Sequence, residues 1–263
     1  MDILHVITQE LGVEKWQVEA AVKLIDEGNT IPFISRYRKE ATGTLNDEQL
    51  RNLNERLTYL RNLEDKKNQV LSSIEDQGKL TPELKAQILA AQTLVVVEDL
   101  YRPYRPKRRT RATIAKEKGL EPLANIIMLQ MTGKSIEEEA QAFVSEEKEV
   151  ATVADAIAGA KDIIAEHISD EADYRIHIRD LTAKKGTISS TAKDPEVQSV
   201  YEMYYEFEEP VKKLAGHRVL ALNRGEKEKV LTIKIVAPEE EILRYLDKQV
   251  ITRENPNTTP ILK

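Results

Sequence analysis

The sequence predicts an all-α protein: a multi-helix scaffold with a long central helix, a helix-turn-helix-like N-terminus and one small β element near the C-terminal end. Three observations predict it. Charged residues make up 32% of the chain and aromatics only 5%, a balance that favours long helices over sheets. Leu50, Leu53, Leu57 and Leu60 recur three and four residues apart, which puts them on one helical face. The period changes once, at "KVLTIKIVAP" (229–238), where apolar alternation and β-branched residues read as a strand.

In chain order, Ile3, Leu4, Ile7 and Leu11, then Val13, Val18, Ala21, Val22 and Ile25, fit two helices, Asp2 to Leu11 and Glu14 to Asp26, joined by a corner at Gly12. Gly28 ends the second. Pro32 suits the first turn of a third helix, because its missing N–H has no partner there anyway. Asn46 reads as the N-cap of a helix from Asp47 to Gln77, with Asp47 and Glu48 at its positive end. Glu64 and Lys67 read as a polar break in its apolar stripe, which Leu71 and Ile74 resume. Thr81 before Pro82 opens the next helix, expected to run on through "LVVVEDL" (94–100). Ile114–Lys118 and Leu120–Gln130 flank Gly119, and Ser135 with Glu138 forms a capping box. Val153–Ile168 and Glu171–Ala183 complete this helical stretch.

"TISST" (187–191) reads as a short extended piece, and Asp194 as the cap of a helix from Pro195 to Tyr205. Asn223–Glu226 reads as a turn before the strand Val230–Val236. That strand needs a partner, since an isolated strand leaves its ladder groups unpaired. Candidates are Arg218–Leu222 as a hairpin, "TISST", a second copy, or a later part of a longer chain. Pro238 starts a last helix carrying Ile242, Leu243, Leu246 and Val250, and "NPNTTPILK" (255–263) shows no packing logic of its own. The implied organisation is an N-terminal part over 1–45, a helical scaffold over 46–215 and a small α/β element over 216–263.

Several functions find no support. Cysteine is absent, so disulfides and thiolate metal sites are excluded. Four scattered histidines, His5, His167, His177 and His217, offer no zinc spacing. No apolar run approaches the ~20 residues that span a bilayer, and the first residues do not read as a signal peptide. The expected location is the cytoplasm. G-x-S-x-G, P-loop and H-E-x-x-H motifs are missing. His177 in "RIHIRD" alternates with Ile176 and Ile178, as structural histidines do. No catalytic residue, metal or cofactor is expected.

The segment that stands out is "YRPYRPKRRTR" (101–111), six cations and no carboxylate in a chain of formal net charge −6. Pro103 and Pro106 hold their predecessors extended, so Arg102, Arg105, Lys107, Arg108, Arg109 and Arg111 are expected along a stiff strip. Such a strip suits a phosphate backbone, contacted without sequence preference, and Tyr101 and Tyr104 suit stacking on bases. The competing reading has these cations paired internally with some of the 45 acidic residues, bracing a crossover. A secondary basic segment, Arg36, Arg38 and Lys39 in "RYRKEATG", suits an anion or a loop pinned to Glu40 or Asp47. "ITQELGVEKWQVEAAV" has helix-turn-helix spacing, but its second helix offers Glu14 and Glu19 beside Lys15 and Gln17. Those carboxylates would repel phosphates, so a helical corner fits better.

"IPFISRYRKEATGTLNDEQL", "QGKLTPEL", "LEDLYRPYRPKRRTRATIAKEKGLEPLA" and "HRVLALNRGEKEKVL" together resemble the amino-terminal region of the Tex family of bacterial transcription accessory proteins. The motifs follow the family's order and cover nearly the whole chain. The resemblance implies a fragment preceding an RNase H-like domain, helix-hairpin-helix modules and an S1 domain. It also implies a helical scaffold against which those domains pack. Expected partners are RNA or DNA through weak backbone contacts, the family's downstream domains and the transcription machinery, with no membrane. The alternative from another class is a purely structural or protein-interaction module.

Overall fold

The computed structural model describes residues 1–263. It is 63% helical, with a single three-stranded sheet toward the C-terminus, so the protein is mainly α. Two compact units are present, Met1–Tyr104 and Arg105–Lys263. The division falls inside the basic strap.

The first unit contains α1 (Ile3–Leu11), α2 (Lys15–Asp26), α3 (Ile31–Tyr37), α4 (Asp47–Asp76), α5 (Pro82–Ala90) and α6 (Leu94–Tyr101). Helix α4 is its axis. A capping box closes its start, Asn46 accepting from the Gln49 N–H while the Gln49 side chain accepts from the Asn46 N–H. Leu50, Leu53, Leu57, Leu60 and Leu63 are buried, and α1, α2, α3, α5 and α6 all pack on this helix. Bidentate pairs fasten the first two: Arg56 to Glu10 at 2.6 and 2.7 Å, Arg61 to Asp26 at 2.7 and 2.8 Å. The hydrogen bond from Arg61 holds the Asp26 carboxyl below its ordinary value.

Lys67 is not a polar break. It is 1% exposed and occupies the stripe between Leu63 and Val70. Its ammonium donates to the Leu89 carbonyl at 2.9 Å and lies 3.1 Å from Glu64. Leu89 sits in the last turn of α5, where carbonyls lack helical partners and the dipole is negative. Lys67 therefore caps one helix from the core face of another. Burial alone would raise the Glu64 pKa. Hydrogen bonds from the Met1 ammonium and Lys67 outweigh it, and the carboxyl is held below its ordinary value. Lys67→Met, close in length but without charge or donor, leaves the Leu89 carbonyl without this partner. It should cost about 1–3 kcal/mol, read as a lowered urea midpoint of the first unit.

The helix opened by Thr81 stops at Ala90, and "LVVVEDL" belongs to the separate helix α6. Thr93 caps α6 by accepting from the Val96 N–H, and the Tyr59 hydroxyl accepts from the Leu94 N–H. A tertiary hydroxyl at that N–H allows the break.

The second unit contains α7 (Arg111–Glu117), α8 (Glu121–Leu129), α9 (Ile136–Gln141), α10 (Val153–Asp170), α11 (Ala172–Lys185), α12 (Gly216–Lys227), α13 (Glu239–Val250) and α14 (Thr259–Leu262), with strands β1 (Thr187–Ala192), β2 (Glu206–Pro210) and β3 (Leu231–Val236). Helix α10 is its axis, with α7, α8, α9 and α11 packed on it. Ala156, Ala160, Ile163 and Ile164 face that core. The strands run antiparallel in the order β2-β1-β3. Ser190 pairs with Phe207 on one side and Ile233 on the other. "TISST" is thus the partner of the predicted strand, inside the same chain.

Three expectations fail in this unit. Residues 195–205 form turns and a short 3-10 helix instead of an α-helix. Asp194 accepts from the Glu196 N–H and Ser199 from the Tyr201 N–H, local bonds that compete with helix formation. They bring Tyr201 and Tyr204 onto the small core beneath the sheet. Second, Arg218–Leu222 and Asn223–Glu226 are helix α12, not a hairpin and turn. A Cβ on Gly225 would lie 2.6 Å from Leu231 Cδ1, so this glycine marks close helix–strand approach. Third, the tail after Val250 is packed. Ile261 and Leu262 rest on the α10 core, and Thr258 is fully buried.

Gln130 fixes that tail. It is 1% exposed and adopts a left-handed φ of 54° just after α8. Its side chain donates to the Val250 carbonyl at 2.7 Å and accepts from the Arg253 N–H at 3.0 Å, while its own carbonyl accepts from Asn255 at 3.2 Å. Asn255 also donates to the Thr132 carbonyl at 3.0 Å.

Candidate nucleic-acid interface

The strap is not one uniform strip. Tyr101 ends α6, and Arg102–Tyr104 form a 3-10 turn, for which Pro103 has its φ pre-set. Both tyrosines are half-buried against the core of the first unit. The Tyr101 hydroxyl is 3.0 Å from Ser73 Oγ, and Gln77 donates to the Tyr104 carbonyl at 2.9 Å. This packing reduces the ring surface left for bases. Arg102 is exposed, in the first unit.

In the second unit, residues 105–110 are non-helical until Thr110 caps α7, its hydroxyl accepting from the Thr113 N–H at 3.1 Å. Lys107 turns inward to a carboxylate pair. Its ammonium donates to Asp170 and lies 3.4 Å from Glu166. Asp170 is a buried carboxylate at the C-terminal end of α10, where its charge faces the negative end of the dipole. An ammonium there offsets both. The Thr110 hydroxyl also donates to Glu166 at 2.9 Å.

The remaining cations lie outward. Arg105 and Arg108 are exposed, and Arg108 makes no ion pair among the described residues. Arg109 pairs with Glu117 at 2.8 Å, both side chains more than half exposed. Arg111 is 87% exposed and reaches Asp162 at 3.5 Å. Exposed pairs of this kind are worth ~0–1 kcal/mol, so a phosphate can replace the carboxylate at little cost. The two rival readings thus divide by residue: Lys107 is braced, while Arg108, Arg109 and Arg111 remain accessible.

Arg36, Arg38 and Lys39 are exposed in the first unit, and no ion pair joins them to Glu40 or Asp47 among the described residues. Asp47 pairs with Arg51 at 2.6 Å. The i, i+4 spacing puts Phe33 and Tyr37 on one face among these cations, but sequence reasoning missed the tryptophan beside the following loop. Trp16 is 52% and Tyr37 60% exposed, and Trp16 lies against the loop that follows the segment. Periodicity did not reveal it, because the tryptophan sits twenty or more residues away on another helix. The helical corner at Gly12 is present, with φ 62°. His177 is an exposed residue of α11 stacked on Tyr245 at 3.7 Å. No helix is long and apolar enough to cross a membrane.

Two related families match. The one described as Tex-like protein N-terminal domain covers residues 1–75, and the one described as Tex central region-like covers 132–256. The chain is 48% identical over 260 residues to the uncharacterized protein YdcI of Bacillus subtilis, covering 98% of this chain and 36% of that protein. It is 43% identical over 238 residues to the transcriptional accessory protein Tex of Neisseria gonorrhoeae, covering 89% of this chain and 31% of that protein. With the human S1 RNA-binding domain-containing protein 1 it shares 28% identity over 243 residues, 89% of this chain and 24% of that protein. The chain thus spans about a third or less of the length of these relatives. Resemblance, family matches and relatives agree: the chain belongs to the Tex family and corresponds to its amino-terminal region.

Proposed function

We propose that this chain is the helical scaffold of a cytoplasmic transcription accessory protein, and that residues 105–111 give it weak, sequence-independent contact with the phosphate backbone of RNA or DNA. The observation that carries the reading is the outward set Arg108, Arg109 and Arg111, one without an ion pair and two in exposed, weak ones. Guanidinium groups favour phosphate because their forked donors match its oxygens. The name of the Neisseria relative supports a role in transcription. The downstream domains of the longer family members and the transcription machinery are the further partners proposed.

A salt titration tests it. On a single strand the slope of log affinity against log salt is about −0.7 per phosphate contacted, so engagement of all three arginines gives about −2. The triple variant Arg108→Ala, Arg109→Ala, Arg111→Ala should weaken RNA and DNA of any sequence alike and flatten that slope while leaving the melting temperature nearly unchanged. Unaltered binding in the triple variant would remove the proposal. Lys107 carries a second, structural reading. Lys107→Ala leaves the buried Asp170 carboxylate without its ammonium and should lower the melting temperature with little effect on the salt slope.

A further inference from the structure

A second surface, in the first unit, has the chemistry of a stacking platform. Helix α2 begins at Lys15, and Trp16 lays the edge of its indole against Gly43. A Cβ on Gly43 would lie 2.4 Å from Trp16 Cη2 and 2.9 Å from Cζ2, and the residue adopts φ +59°. No side chain fits there, and the backbone conformation favours glycine. Next to Trp16, Gln17 donates to the Thr42 and Gly43 carbonyls at 3.3 and 2.8 Å. The loop folds back on the basic segment. Thr42 and Thr44 donate their N–H groups to the Arg38 and Lys39 carbonyls at 3.2 and 2.8 Å. Thr44 holds a left-handed φ of 66°, an outlier for a β-branched residue.

The indole is therefore seated on the same loop that carries Arg38 and Lys39, with half of its surface in water. Arg38 lies 5.2 Å over the Phe33 ring, and Phe33 lies 5.3 Å from the exposed Tyr37. Arg36, Arg38 and Lys39 stand against one carboxylate, Glu40, among residues 30–44, while on the Trp16 helix Glu19 pairs with Lys15 at 3.8 Å and Glu14 sits at the N-cap. Exposed aromatic faces interleaved with cations that lack carboxylate partners match a ligand offering flat π-systems on an anionic backbone. An acidic protein would use the cations but leave the two exposed rings without a stacking partner.

We propose that Trp16, Tyr37, Arg36, Arg38 and Lys39 form a binding site for single-stranded nucleic acid, in which bases stack on Trp16 and Tyr37 and the cations hold the backbone. It is independent of the strap and uses none of its residues.

Trp16 is the only tryptophan in the chain, so its emission reports on this site alone. Oligo(dT) and oligo(U) should quench it in a saturable, salt-sensitive way, and equal response to both would assign the contact to features that DNA and RNA share. Tyr37→Ala should weaken binding roughly fivefold or more, the lower end for losing one stacked base. Arg36→Ala with Lys39→Ala should weaken it further. All three side chains are exposed, so circular dichroism melts should stay at the wild-type value. Quenching should persist when Arg108, Arg109 and Arg111 are replaced by alanine, which separates this site from the strap. Oligonucleotide binding without change in Trp16 emission, or wild-type affinity in Tyr37→Ala, overturns the proposal. So does poly-glutamate that quenches Trp16 and competes as well as the oligonucleotides, which would make the site a surface for acidic protein.

Discussion

Leu57→Ala lowers the stability of the first unit by about 2–5 kcal/mol, the range for truncating a core leucine. The side chain is 2% exposed in the middle of the α4 stripe, flanked by Leu53 and Leu60, both buried. Five helices pack on α4, so the cavity cannot close by moving one neighbour, and the cost should lie in the upper half of that range. The measurement is urea denaturation followed by helical circular dichroism. The slope of the transition should be preserved while the midpoint falls, which marks a stability change rather than a more compact denatured state. A midpoint equal to wild type would rule out the buried stripe.

Gln130→Ala is the second large effect, expected at about 2–5 kcal/mol in the second unit. It removes a donor from the Val250 carbonyl and an acceptor from the Arg253 N–H, and each buried backbone group left without a partner costs about 1–3 kcal/mol. Alanine at φ 54° bears the same left-handed conformation without those bonds to hold it. The consequence should be local first. Amide exchange at Arg253, and across the tail that carries Asn255, Thr258 and Leu262, should accelerate before the α10 core opens. Exchange unchanged in that tail would show that the packing of Ile261 and Leu262 holds it without Gln130.

At several helix caps and in the period-2 strand, where cause and effect lie within a few residues, sequence and structure agree. The N-cap at Asn46 and the capping box at Ser135 are present. Pro82 and the alternation in Leu231–Val236 mark real boundaries. Strand β2 escaped notice because "EFEEP" is rich in residues that strands disfavour. It lies at the sheet edge, where charge guards against further pairing, and the Arg218 guanidinium donates to Glu209 at 2.7 Å. The candidate sites were legible as composition only. The basic runs and the aromatics within them were visible, but not which cations are braced or that Trp16 lies against the loop after one of them.

The sequence by itself determined the helical class, the leucine axis of α4, the position of strand β3 and the Tex family resemblance, because each rests on local periodicity, capping or contiguous motifs. Tertiary structure alone decided the fate of the polar residues. Lys67 entered a core to cap a helix 22 residues away, Lys107 turned inward to Asp170 63 residues away, and Gln130 clasped a tail more than 120 residues away. Trp16 came to rest against Gly43 of a distant loop. A lysine or glutamine carries no periodic signal of its partner. Whether its charge or amide is solvated or satisfied inside depends on which carbonyls and carboxylates the fold brings within about 3 Å, and that is set only when distant segments meet.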